Sequence, residues 1–218
     1  YNQFLPTYIH SFSEWRTPLL MYATAPFIGI FGLNEWGLRL PNAVFGIVSV
    51  FLLYLLAKTI IKSEKVAIFS AFFLAISPWH LQYSRAVFEA SFLLMLICAS
   101  VLAFLNGVKN SRWFYICAAL FALTFYTYNT ANLFTPLLLG LLLLVSRKEI
   151  KSVPRKNLFG PLLLFVVLSL PIVYHLFFGF AAERYGKFSI FSDEQVIQEV
   201  NSKRLDAGNT TLEKLLHN

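Results

Sequence analysis

The feature that most constrains this chain is the spacing of its charged residues. Between Arg39 and Lys58 lie 18 uncharged residues, and between Lys65 and Arg85 lie 19. Glu89 to Lys109 encloses another 19, Arg112 to Arg147 encloses 34, and Lys156 to Glu183 encloses 26. A helix needs about 20 apolar residues to cross roughly 30 Å of hydrocarbon, so these runs read as membrane crossings. The 34-residue run exceeds one crossing, and its polar centre, Tyr126 to Asn132, splits it into two short helices joined by a tight turn. Six spans follow, near 40–58, 66–78, 88–106, 113–128, 132–146 and 158–178. Period-two alternation is missing, which argues against a membrane barrel.

Composition agrees. Of 218 residues, 57% are hydrophobic and 13% charged, whereas a soluble domain carries about 25% charged residues. A water-soluble globule could not bury so much apolar surface, and disorder or a disulfide-stapled secreted fold is excluded by the same figures. The expected fold is therefore all-α: a polytopic membrane protein of about six helices, an outer interfacial helix and the start of an outward-facing soluble segment.

The +7 net charge has its own location. The connections 58–65, 107–112 and 147–157 hold ten of the 18 Lys and Arg, whereas 79–87 and 129–131 contribute only Arg85. By the positive-inside rule the first set is cytoplasmic and both chain ends face outward. The charge describes orientation beside a bilayer and points away from nucleic acid.

Three regions follow: an outer loop with an interfacial helix over 1–38, a transmembrane domain over 39–178, and an extracytoplasmic loop or start of a soluble domain over 179–218. Residues 17–34 are also uncharged, but Pro18, Pro26, Gly29 and Gly32 interrupt them and aromatic residues surround them. An aromatic-rich helix in the outer interface fits at least as well as a span, and the interfacial placement is preferred. Cys98 and Cys117 fall inside spans and read as small core residues. In the tail, Ser192-Asp193-Glu194 reads as a helix start and Gly208 as its stop, with Val196, Ile197, Val200 and Leu205 on the buried side. Asn209-Thr210-Thr211 matches a glycosylation sequon. The chain opens on Tyr1 inside a polar stretch and reads as a fragment, with any signal or first span upstream.

Charges at the outer ends of apolar helices are costly, which makes them candidates for function. Glu14, Arg16, Glu35, Arg39, His80, Arg85 and Glu89 collect there. The competing reading is interfacial anchors and local ion pairs: Arg85 and Glu89, four apart, suit a pair across one helical turn, and Arg39 suits a snorkelling anchor. His10 and His80 lack metal-ligand spacing. Tyr126, Tyr128, Asn129 and Asn132 suit caps or glue for the helical hairpin. Arginine's planar guanidinium donates two parallel hydrogen bonds to phosphate, and a phospholipid-like headgroup would lie at this depth.

Three blocks resemble a known family. They are Arg16-Thr17-Pro18-Leu19-Leu20-Met21-Tyr22 with Phe31-Gly32-Leu33-Asn34-Glu35-Trp36-Gly37-Leu38-Arg39-Leu40-Pro41-Asn42; Ser77 through Ala90; and Tyr126-Thr127-Tyr128-Asn129 with Phe134-Thr135-Pro136-Leu137. Together they resemble the membrane GT-C glycosyltransferases, in the branch of the dolichyl-phosphate-mannose protein mannosyltransferases and the bacterial aminoarabinose transferase. The resemblance implies an enzyme that moves sugar from a polyprenyl-phosphate donor to an acceptor hydroxyl on the outer face, with inversion. The acceptor is a protein, glycolipid or polysaccharide. No cofactor is implied, and a divalent metal stays open.

Arg16 stands where relatives often carry a phosphate-contacting Lys, so it is assigned to the donor phosphate, with Arg39 and Arg85 next. Glu89, His80 and Tyr128 are assigned to the acceptor or to ordering the outer loops. Thr17 departs from the family's first proline. The family's catalytic Asp lies upstream of the first block, and no Asp precedes Asp193, so the base is expected outside this fragment, which would be inactive alone. The resemblance implies a multi-pass protein of a bacterial or archaeal plasma membrane, or of the endoplasmic reticulum in a eukaryote. A transporter or lipid flippase, or a non-catalytic scaffold of the same fold, is the alternative; a transporter calls for polar groups near the midplane, whereas charges here gather at the rim.

Overall fold

The structure is a computed structural model that describes residues 9–11, 14–178 and the isolated residues 198 and 202. The readings of the tail helix and the sequon lie outside the described residues. The chain divides into two units, Tyr1–Ile172 and Val173–Asn218, and nearly all described residues belong to the first.

That first unit opens with a short antiparallel hairpin, β1 (Ile9–Ser11) and β2 (Glu14–Arg16), in which Ile9 pairs with Arg16. Helices follow: α1 (Leu19–Phe31), α2 (Glu35–Ile61), α3 (Glu64–Ile76), α4 (Pro78–Arg85) and α5 (Glu89–Lys109). Then come α6 (Trp113–Phe125), α7 (Ala131–Val145), α8 (Arg147–Ser152) and α9 (Arg155–Phe178), the last reaching into the second unit. Apart from the hairpin, the described fold is helical.

Every expected span has a helix, but their lengths differ. Glu35–Ile61, Glu89–Lys109 and Arg155–His175 are long and apolar enough to cross a membrane. The pair α3 and α4, bent by 58°, makes a fourth candidate as one broken span. The bend has a local cause: Pro78 disfavours helical backbone at Ser77, which is extended at φ −61 and ψ 123. Helices α6 and α7 hold 13 and 15 residues, so at 1.5 Å per residue each reaches only ~20 Å. By length and composition three helices, or four with the bent pair as one span, qualify as candidate crossings, and the remaining two expected spans correspond to the short helices α6 and α7. Helix α1, also 13 residues, is too short to cross alone.

Burial runs opposite to that of a soluble protein. Ile47, Phe51, Phe73 and Leu170 are more than half exposed, while Asn42, Ser49, Ser100 and Thr124 are fully buried. Intrahelical bonds satisfy several of these buried hydroxyls, as Ser49 donates to the Phe45 carbonyl and Ser100 to that of Leu96. Helix α5 is the central element, 56% of its apolar window being buried against 17% for α2. Its two ends carry the two buried clusters. Leu20, Phe92 and Leu96 form one near Glu89, and Ala103, Phe104, Phe114, Cys117, Phe121 and Val153 form the other. Gly107 admits the second, since a Cβ there would meet the Phe114 ring at 2.7 Å. Cys98 and Cys117 are buried and free, as core residues.

Candidate functional site

The site begins with a cap. The Asn34 side chain accepts from the Gly37 N–H at 2.9 Å and donates to the Phe31 carbonyl at 2.7 Å, closing α1 and opening α2 in one residue. Glu35 and Arg39 then occupy the first turns of α2, and their side chains pair at 3.7 Å while largely exposed. An exposed pair of this kind contributes only about 0.3–0.5 kcal/mol, so Arg39 remains available to a stronger anion.

Two turns into α2, Asn42 is wholly buried. Its Nδ2 donates to the carbonyls of Ala86 at 2.5 Å and Phe88 at 3.0 Å. These carbonyls belong to the break between α4 and α5, where Ala86 and Phe88 are both extended and the Ala86 carbonyl also accepts from the Phe88 N–H at 3.0 Å. Asn42 thus ties α2 to this break through two carbonyls, and it fixes the segment that carries Arg85 and Glu89.

The break also decides the ion pairs. Arg85 ends α4 and Glu89 begins α5, so the expected pair across one helical turn does not form. Glu89 instead faces Arg16 at 3.9 Å, with side-chain exposures of 18% and 48%. Both ends suit the local helix fields, a cation at the end of α4 and an anion at the start of α5. Among the described residues no carboxylate lies within salt-bridge distance of Arg85. Arg39 and Arg85 line a common cleft of about 330 Å³ with Gln82, Ala86 and Val87. Two guanidinium groups and one amide, with no acid in the lining, suit a phosphate.

His80 is placed differently. It is buried on α4, its ring reaching the backbone of Gly46 on α2. Nδ1 has no hydrogen-bond partner among the described residues, nor does the buried Ser84 hydroxyl. Gly46 allows this close approach of α2 to α4, because a Cβ there would collide with Ser84. His80 therefore sits at a helix contact that orients α4, away from the lining of the cleft.

Tyr128 stands in the turn between α6 and α7, 39% exposed, its carbonyl accepting from the Ala131 N–H at 2.9 Å. Next to it, the Tyr126 carbonyl accepts from the Leu19 N–H at 3.1 Å, which ties the chain just after Arg16 to this turn. The Tyr126 hydroxyl donates to the Leu168 carbonyl at 2.7 Å. The hairpin itself is joined by buried Thr124 and Thr135, whose hydroxyls lie 2.7 Å apart. Asn132, expected to cap the hairpin, has a buried side chain with no partner among the described residues. Of the expected site residues, the structure thus joins Arg39 to Arg85 and Arg16 to Glu89. It also reveals Asn42, which periodicity could not single out. No group of three His, Cys, Asp or Glu suited to a metal occurs among the described residues.

Comparison with known proteins gives a family. Residues 15–175 match the family described as dolichyl-phosphate-mannose-protein mannosyltransferase. The chain belongs to this family. The matched range includes every arginine of the site and all three quoted blocks. A relative from Pyrococcus horikoshii (strain ATCC 700860 / DSM 12428 / JCM 9974 / NBRC 100139 / OT-3), described as dolichyl-phosphooligosaccharide-protein glycotransferase 2, is 32% identical over 112 residues. That alignment covers 49% of this chain and 14% of the relative, so the chain spans a small part of the relative's length. No solved structure matches. Family and apolar helices together make this a membrane protein.

Proposed function

We propose that the protein is a membrane glycosyltransferase that takes sugar from a polyprenyl-phosphate donor and transfers it, with inversion, to an acceptor hydroxyl at the outer membrane face. The observation that carries this reading is the acid-free cleft of Arg39 and Arg85, set at the ends of apolar helices in a chain of this family. Such a position suits a lipid whose phosphate stays at the rim while its chain lies along apolar helix faces. As the glycosidic bond breaks, negative charge grows on the leaving phosphate. Fixed guanidinium donors stabilise that charge more than they stabilise the bound donor, which lowers the barrier. Arg16, paired with Glu89, is the third cation of this reading. In this reading Glu89 orders the loop, His80 sets α4, and Tyr128 borders the acceptor side. The proton acceptor for the attacking hydroxyl is assigned to no residue of this chain. The outer face is the end bearing Glu89, because ten bases occupy the connections at the other end; the six-span arrangement, with α6 and α7 as a short-helix pair, belongs to the same reading.

The test is transfer in membranes supplied with a polyprenyl-phosphate-linked sugar. Arg85→Ala is expected to lower transfer about a hundredfold, the scale for losing one transition-state donor, and Arg16→Ala by less. Wild-type rates in both variants would refute the phosphate assignment.

A further inference from the structure

At the far end of α5 from Glu89, two separate connections meet. Lys109 and Arg112 come from the link between α5 and α6, and Lys156 comes from the start of α9. The three bases line one pocket of about 590 Å³ with no acid in its wall. Orientation alone requires bases at this end, but it does not require bases from different connections to converge on one pocket.

The walls are held together by neutral polar groups. Asn157 Nδ2 donates to the Ser111 hydroxyl at 3.3 Å, bridging α9 to the link. The Asn110 side chain accepts from the Arg112 N–H at 3.2 Å and shapes the turn. Tyr115 lies against Gly160, where a Cβ would collide with its hydroxyl, so the Tyr115 side chain reaches the start of α9. Because these contacts satisfy neutral groups with one another, the three cations are left facing the pocket. Among the described residues none of the three makes an ion pair.

We infer that this pocket is a second binding site, distinct from the outer cleft, for a phosphate group. The inference does not depend on the proposed reaction. Three cations around one pocket at the end of apolar helices match an anionic phospholipid headgroup, and the same chemistry would hold a soluble phosphate.

The experiment is native mass spectrometry of the protein in neutral detergent, titrated with phosphatidylglycerol, phosphatidylcholine or inorganic phosphate. Phosphatidylglycerol is expected to bind at least tenfold more tightly than phosphatidylcholine. Lys109→Gln/Arg112→Gln/Lys156→Gln should weaken it by about a hundredfold, at roughly fivefold per cation near a membrane surface. Arg147→Gln/Lys148→Gln/Lys151→Gln removes equal charge from α8, outside the pocket, and should leave binding within twofold. Displacement by millimolar inorganic phosphate would identify a soluble-phosphate site, and retention would identify a lipid-headgroup site; both support the pocket. Equal losses in the two triple variants would show diffuse attraction and overturn the inference. So would wild-type binding in the pocket variant. Thermal unfolding of both variants checks that each is folded.

Discussion

The two ends of α5 are both charged, yet they are built differently. At the Glu89 end, acids and bases interleave, and buried polar side chains pin the backbone that carries them: Asn42 on the α4–α5 break and His80 against Gly46. At the Lys109 end, the three connections hold ten bases and two acids, Glu64 and Glu149, and most of these charges are exposed. The contrast separates two uses of charge in a membrane protein. Buried donors fix geometry and suit chemistry, whereas exposed bases set orientation and attract anions.

The comparison breaks if the buried donors do not matter. Asn42→Ala removes both side-chain bonds to the Ala86 and Phe88 carbonyls and leaves a void at a fully buried position, so at ~0.5–1.5 kcal/mol per bond plus the cavity it should destabilise the protein by about 2–4 kcal/mol. Thermal unfolding in detergent would read this as the largest drop of any substitution considered, together with loss of transfer. Gly46→Ala drives a methyl into Ser84 and is expected to cost about 1–3 kcal/mol, measured the same way. Thr124→Val removes the bond to Thr135 within the α6–α7 hairpin, for which about 0.6–1.7 kcal/mol is expected. The smallest effect belongs to the other end. Lys58, Tyr54 and Glu64 form an exposed triad, with Lys58 and Glu64 at 2.7 Å and the Tyr54 hydroxyl bonded to Glu64. The Lys58 and Tyr54 hydrogen bonds hold the Glu64 carboxyl below its ordinary range. Any stability it adds is present at neutral pH and fades as pH falls through that lowered value. Glu64→Gln should nonetheless leave the melting temperature unchanged at neutral pH, as exposed pairs contribute little.

How much of this could be read from the sequence depends on the distance between cause and effect. Charge spacing located the helices because a charge is costly anywhere in hydrocarbon. It did not give helix lengths, because an uncharged run counts loop and helix alike. The run from Lys65 to Arg85 hides the break at Ser77-Pro78, though Pro78 marks it. The Arg16–Glu89 pair was hidden because the extended turn at Ala86 and Phe88 separates Arg85 from Glu89. Asn42 was illegible for a related reason: it looks like one polar residue in an apolar helix until those carbonyls lie opposite it. The hairpin Ile9–Arg16 gave no alternating apolar signal over strands of three residues.

The central claim is that the Arg39–Arg85 cleft holds the donor's phosphate. It is tested most directly by titrating the protein with a polyprenyl phosphate and measuring affinity in Arg39→Gln/Arg85→Gln beside Lys109→Gln/Arg112→Gln/Lys156→Gln. The account predicts about a hundredfold loss at the tighter site in the first variant, the scale for two charge-assisted hydrogen bonds, whereas the second variant keeps that tighter site and loses only weaker binding at the Lys109 pocket. Wild-type affinity in the first variant would contradict it.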